Sequence, residues 1–220
     1  MTLEDLNTSI PENSCLIHKD LRKKNINFYF LRHVNTGKNE NDMERQITDK
    51  GREQAMDVAP YLGSINWDAV LTSPAPRANS TIKIILPSEV YEQRITVPEL
   101  YLFDDTVNEM SKELGYKPLV DWFNHPKGGN HMKGYGKSTA ISIKNAMMKK
   151  VTDILDEDKN EINILVAGHA VLLNAAAFFL FDEINFRQMT LNTALGEGAY
   201  FTMNTLNEYE VKSYEKKKKK

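Results

Sequence analysis

Short apolar runs alternate along this chain with segments of helical period, and each run stops at a turn signal. Ile26-Asn-Phe-Tyr-Phe-Leu31, Ala69-Val-Leu-Thr72 and Ile162-Asn-Ile-Leu-Val-Ala167 have the length and the aromatic or β-branched content of buried strands. Between the first two, Thr48 is a candidate N-cap. Ala55, Val58, Ala59 and Leu62 follow at i, i+3, i+4 and i+7, and Gly63 closes the helix. Pro74 and Pro76 break the chain after the second run, a helix is predicted over 77–85, and Pro87 ends it. Ile95-Thr-Val97 predicts a third, short strand. Helical period returns over 138–156, with Ile143, Met147, Val151, Ile154 and Leu155 on one face. A helix apolar nearly all round is predicted over 171–181, and the runs from Ala199 and Tyr209 are final strand candidates. Strands alternating with helices specify an α/β fold, a three-layer sandwich with a mainly parallel central sheet between helices.

The length of 220 residues suits one such domain. We expect an N-terminal extension over 1–24, a main domain over 25–215 and a lysine tail over 216–220. Residues 100–137 form the candidate cap insertion. Two short helices are predicted there, near 106–115 and 118–123, followed by a Gly-rich stretch from Lys127 to Gly136.

Charge excludes some functions. Five of the 28 basic residues are Lys216–Lys220, so the rest of the chain sets 23 basic against 30 acidic residues, a charge of −7. That is not the footprint of a nucleic-acid binder. The single cysteine, Cys15, supports neither an intrachain disulfide nor a cysteine-based zinc cluster. No run is long and apolar enough for a membrane span, and the first residues lack the basic and apolar regions of a secretory signal. The expected location is cytoplasmic. Cys15 and His18 are expected to be structural or on the surface, and the tail to be solvated.

Of five histidines, His33 and His169 each sit just past the end of an apolar strand, where ligands bind in open α/β sheets. Arg32 and Arg77, two of only seven arginines, stand at strand ends as well. Arginine's planar fork suits phosphate oxygens. Each residue alone reads as structural, and together they read as an anion site. A metal site is the rival use of two histidines. The helical i, i+4 zinc motif is missing, however, and no carboxylate adjoins His33 or His169 in sequence.

Leu31-Arg32-His33-Val34-Asn35-Thr36 resembles the Leu-Arg-His-Gly-x-Thr signature of the histidine phosphatase superfamily, also called phosphoglycerate mutase-like. Three more stretches resemble its motifs in order. These are Ile47-Thr48-Asp-Lys-Gly51-Arg-Glu-Gln54-Ala55, Leu71-Thr-Ser-Pro-Ala-Pro-Arg77-Ala78-Asn-Ser-Thr81 and Val166-Ala-Gly168-His169-Ala170. The departure is Val34, where the family usually has glycine.

The resemblance implies a histidine acid phosphatase-like phosphohydrolase that needs no metal and no cofactor. His33 would attack phosphorus and carry a phosphohistidine. Arg32, Arg77 and His169 would cradle the phosphoryl oxygens, with Thr36 and the Ala170 N–H as further donors. In capped relatives an acid follows the third strand. That implies Glu99 as proton donor, with Asp104 and Asp105 as runners-up and the role unfilled as a further possibility. His125, Lys127, His131 and Lys133 are candidates to meet the rest of the substrate. The expected partner is a small phosphorylated molecule or a phosphoprotein, with no nucleic acid. Two alternatives stand beside the hydrolase: a phosphoglycerate-mutase-type phosphotransferase and a non-catalytic phosphate-binding module. Against the mutase, the first motif lacks the Glu and Trp of that branch.

Overall fold

In the computed structural model, which describes residues 24–102, 104–155, 159, 161–181, 184–206 and 209–212, the first apolar run becomes β1 (Asn25–Arg32). Its side chains alternate between two cores. Phe28 and Phe30 face one, Leu31 faces the other, and all three are fully buried. Burying each stabilises the fold by roughly 1.5–3 kcal/mol. β1 pairs in parallel with β4 (Glu161–Gly168), which pairs in parallel with β2 (Ala69–Thr72), which pairs in parallel with β3 (Ile95–Thr96). On the other side of β1 lie two antiparallel strands, β5 (Tyr200–Asn204) and β6 (Tyr209–Lys212). The order is β3-β2-β4-β1-β5-β6. This is the mainly parallel sheet, flanked by helices, that the alternating pattern predicted.

One face is covered by α1 (Asp49–Leu62) and α2 (Pro76–Ile85). Ala55, Val58, Leu62, Ile82 and Ile85 of these helices join Leu31, Val70 and Leu165 of the sheet in one core. Thr48 caps α1, accepting from the Gly51 N–H at 3.1 Å. A short helix not read from the sequence, α3 (Ser88–Glu92), precedes β3. It is one turn long, too short for a helical period to register. α4 (Asp105–Leu114) and α5 (Leu119–Phe123) form as expected. The other face carries α6 (Gly129–Leu155), α7 (Ala170–Leu180) and α8 (Ile184–Asn192). Among the described residues no helix is long and apolar enough to cross a membrane. Residues 1–23 with Cys15 and His18, the lysine tail, and the side chains of Ile154 and Leu155 lie outside the described residues.

The Gly-rich stretch departs from expectation. Helix α6 begins at Gly129 rather than near 138, so most of that stretch is helix and not loop. Tertiary contact overrides the poor helix propensity of glycine. A Cβ on Gly136 would stand 2.8 Å from the carbonyl oxygen of Ala175, so the missing side chain lets α6 lie directly against α7.

Two glycines of α6 should therefore respond oppositely to alanine. Gly134 is exposed with nothing near a would-be Cβ, and Gly134→Ala should stabilise by up to about 1 kcal/mol. Gly136→Ala should destabilise by about 1–3 kcal/mol as the helices are forced apart. Urea unfolding of the two variants gives the signs.

Candidate active site

The site is built where β1 and β4 end. Their register pairs Arg32 with Gly168, and the His33 N–H donates to the Gly168 carbonyl at 3.0 Å. The next residues, His33 and His169, thus stand side by side, ring centroids 5.2 Å apart. β2 adds Ser73, whose N–H donates to the Ala167 carbonyl at 2.9 Å and whose hydroxyl lies 2.9 Å from His169 Nε2. Arg77 enters on the first turn of α2, just after Pro76.

His33 Nδ1 lies 2.8 Å from the Val34 carbonyl. A carbonyl only accepts, so Nδ1 carries the proton and Nε2 keeps its lone pair. Burial, reinforced by Arg32, Arg77 and Arg45, pushes the ring down to about 3, against the opposing effect of the carbonyl bond. His169 is likewise pushed well down, first by burial and then by His33 and the arginines. Both rings are neutral at pH 7.

Three guanidiniums converge here. Arg32 donates from one terminal nitrogen to the Leu195 carbonyl at 2.7 Å, and its guanidinium carbon lies 4.6 Å from the Tyr116 ring centre. Arg77 grips Asp42 with both terminal nitrogens, one on the carbonyl and one on Oδ2, each at 2.6 Å. The Nε of Arg32 and of Arg77 are buried with no acceptor among the described residues. Arg45 donates to the other Asp42 oxygen at 3.0 Å and to the Thr36 hydroxyl. Tyr101 donates its hydroxyl to Asp42 Oδ2 at 3.1 Å. Burial alone would raise the Asp42 carboxyl, but Arg45 and Arg77 hold it below its ordinary value. Burial and the Asp42 charge push Tyr101 up to about 12.

The two histidines, the three arginines, Asp42, Tyr101 and Tyr116 line a cavity of about 310 Å³, near the lower end of small-ligand sites. Among the expected residues, Arg32, His33, Arg77, His169 and Ala170 line it. Thr36 stands one step back, behind Arg45. Glu99 does not line it. It occupies a 3₁₀ turn (Pro98–Leu100), where its carbonyl accepts from the hydroxyls of Tyr135 and Thr139. Asp104 caps α4 by accepting from the Val107 N–H and also bonds His131. Asp105 is exposed in the first turn of that helix. His125 pairs with Glu113, and Lys133 lies 6.0 Å from the Phe123 ring centre. Neither these two residues nor Lys127 and His131 line the cavity.

Asp42, Arg45, Ser73, Tyr101 and Tyr116 were not anticipated. The first two lie in the polar stretch 35–46, which reads only as a turn. Their one signal is the i, i+3 spacing of opposite charges, which the structure turns into an ion pair. Tyr101 is two residues beyond Glu99.

Val34 is accommodated by its neighbours. A Cβ on Gly51 would meet its Cγ2 at 3.1 Å, and one on Gly198 its Cγ1 at 3.4 Å. Two residues without side chains thus bound the space that the valine fills. Its N–H donates to the Thr81 hydroxyl at 3.2 Å.

Among solved structures, the chain is similar to a mycobacterial glucosyl-3-phosphoglycerate phosphatase (14% identity, 86% of this chain and 97% of that one, TM-score 0.56). It is also similar to a phosphoserine phosphatase from Entamoeba histolytica (17%, 88% and 98%, 0.55) and a phosphoglycerate mutase from Bacillus anthracis (14%, 87% and 93%, 0.53). At such identities the likeness shows the fold alone. Comparison with curated protein sequences finds no match. The sequence itself matches the histidine phosphatase superfamily (branch 1) over residues 28–194. With that match spanning most of the chain, and with the fold in agreement, the protein belongs to the histidine phosphatase superfamily, branch 1.

Proposed function

We propose that this protein is a metal-independent phosphomonoester hydrolase that works through a phosphohistidine on His33. The observation that carries the reading is the state of that ring. Its Nδ1 proton is committed to the Val34 carbonyl, so the lone pair of Nε2 is available beside three guanidiniums. Nε2 attacks phosphorus while the ester P–O bond breaks and its electron pair leaves with the oxygen. Water then attacks phosphorus, the N–P bond returns its pair to the ring, and inorganic phosphate departs. Arg32, Arg77 and His169 stabilise the equatorial oxygens in both steps, with the first-turn N–H groups of α7 beside them. The fixed positive charge takes the part that a metal ion plays in other phosphoryl-transfer sites.

Substrate must also deal with Asp42, which occupies the Arg77 fork in the free protein. Binding is therefore an exchange of one anion for another.

Hydrolysis of an aryl phosphate in the presence of EDTA should proceed in the wild type and fall by at least about a thousandfold in His33→Ala. Rapid acid-free quenching should trap an acid-labile, base-stable phosphoenzyme in the wild type alone. A fully active His33→Ala protein overturns the nucleophile. Asp42→Asn should tighten competitive inhibition by inorganic phosphate about tenfold, because it removes a negative charge next to the bound anion. Weaker inhibition would mean that Asp42 instead holds Arg77 in place.

The neutral histidines also set a pH dependence. Both are lowered in the folded state, so the unfolded chain binds more protons below its own pKa of about 6.5. Stability is therefore expected to fall as pH drops from there toward the folded value for His33, about 3. Thermal melts across this window should show a shallower fall for His33→Ala.

A further inference from the structure

We propose that the substrates of this site are aryl phosphates, monoesters whose phosphate is joined to an uncharged aromatic group. The inference deepens the hydrolase reading and rests on it. Its ground is the division of the cavity lining. Every charged or imidazole side chain that lines the cavity comes from the strand ends, the first turn of α2 and the polar stretch 35–46. The wall supplied by Leu102, α4, the turn after it, α5 and the first turn of α7 is of another kind. It consists chiefly of Leu102, Val107, Tyr116, Trp122, Val171 and Leu172, and none of these carries a charge. A ligand that satisfies both parts has an anionic head and an apolar body. The polar groups on this wall are the Ser111 and Tyr116 hydroxyls and the Trp122 Nε1–H, with no cation among them, so a glycerate body would lose water from its carboxylate without gaining an opposite charge.

Tyr116 indicates that the body is aromatic. It is 71% exposed, yet it lines the cavity. Gly115, at φ +56°, turns the chain to present it, and the Arg32 guanidinium steadies its ring. A large ring kept in water at the mouth of a cavity offers an apolar face for stacking on another ring.

The leaving group points the same way. Asp42 is the one carboxylate that lines the cavity among the described residues, and when a phosphate takes the Arg77 fork the Arg45 guanidinium and the Tyr101 hydroxyl still bond it. Among the described residues no other carboxyl group lines the cavity to protonate the departing oxygen. A phenol ionises at about 10, as a tyrosine does, and its anion departs without prior protonation. An alkoxide does not. In the first step the P–O(aryl) bond breaks with its electron pair on the phenolate, which then takes a proton from water.

The test separates binding from chemistry. Calorimetric titration of the full chain with phenylphosphonate, methylphosphonate and 2-carboxyethylphosphonate reads recognition of the body with no bond to break. Phenylphosphonate should bind at least about tenfold more tightly than methylphosphonate, with the carboxyethyl compound no tighter than methyl. Tyr116→Ala should narrow the phenyl-to-methyl ratio about fivefold, and Tyr116→Phe should keep it. Equal affinities, a preference for the carboxylate, or no binding of any phosphonate overturns the inference. In parallel, phenyl phosphate should turn over at least about a hundredfold faster than benzyl phosphate, which keeps the ring but leaves as an alkoxide. Equal rates overturn the leaving-group argument. A phenyl preference without turnover supports the aromatic subsite and removes the hydrolase reading. Turnover without a preference does the reverse.

Discussion

The candidate site depends on one pairing, the parallel register of β1 and β4 that sets Arg32 opposite Gly168. Side chains alternate with a period of two, so a slip of one residue would exchange the two cores of β1 and turn His33 away from His169. The register is held firmly because both faces of the strand are buried. Phe28 and Phe30 have no alternative place, and neither has Leu31. The apolar packing of the sheet thereby fixes the spacing of two polar residues that contribute nothing to it.

Packing also explains how so much charge tolerates burial. Arg32, Arg77 and both histidines are nearly inaccessible. The histidines give up their charge instead, since desolvation disfavours the protonated ring. The arginines cannot, and each must find an oxygen. Arg32 takes the Leu195 carbonyl and Arg77 takes Asp42. Among the described residues the two buried Nε groups have no acceptor. A protein charged at −7 over most of its length thus concentrates positive charge in one small volume.

Much of this was legible in the sequence because it rests on local patterns. The apolar runs gave the strands, Thr48 and Gly63 bounded α1, and Arg32, His33, Arg77 and His169 stood out as strand-end residues. What escaped the sequence rests on contacts between distant segments. Asp42 belongs to a stretch that carries no period, and only the fold brings it to Arg77. Glu99 follows β3 as an acid should, yet only the cavity lining shows that Tyr101, two residues on, is the one that reaches it. The glycines of α6 look like a loop until α7 is laid against them. Sequence reports what a segment prefers by itself, and these positions are decided by what lies beside them.

Val34 carries the same lesson in terms of volume. Judged by the family pattern it is a flaw to be mended with glycine. In the folded chain it fills a space bounded by Gly51 and Gly198, neither of which has a side chain to extend into it. Restoring the consensus glycine would leave three bare backbones around a void at the root of the loop that carries His33, so the apparent repair would loosen the support of the residue it was meant to serve.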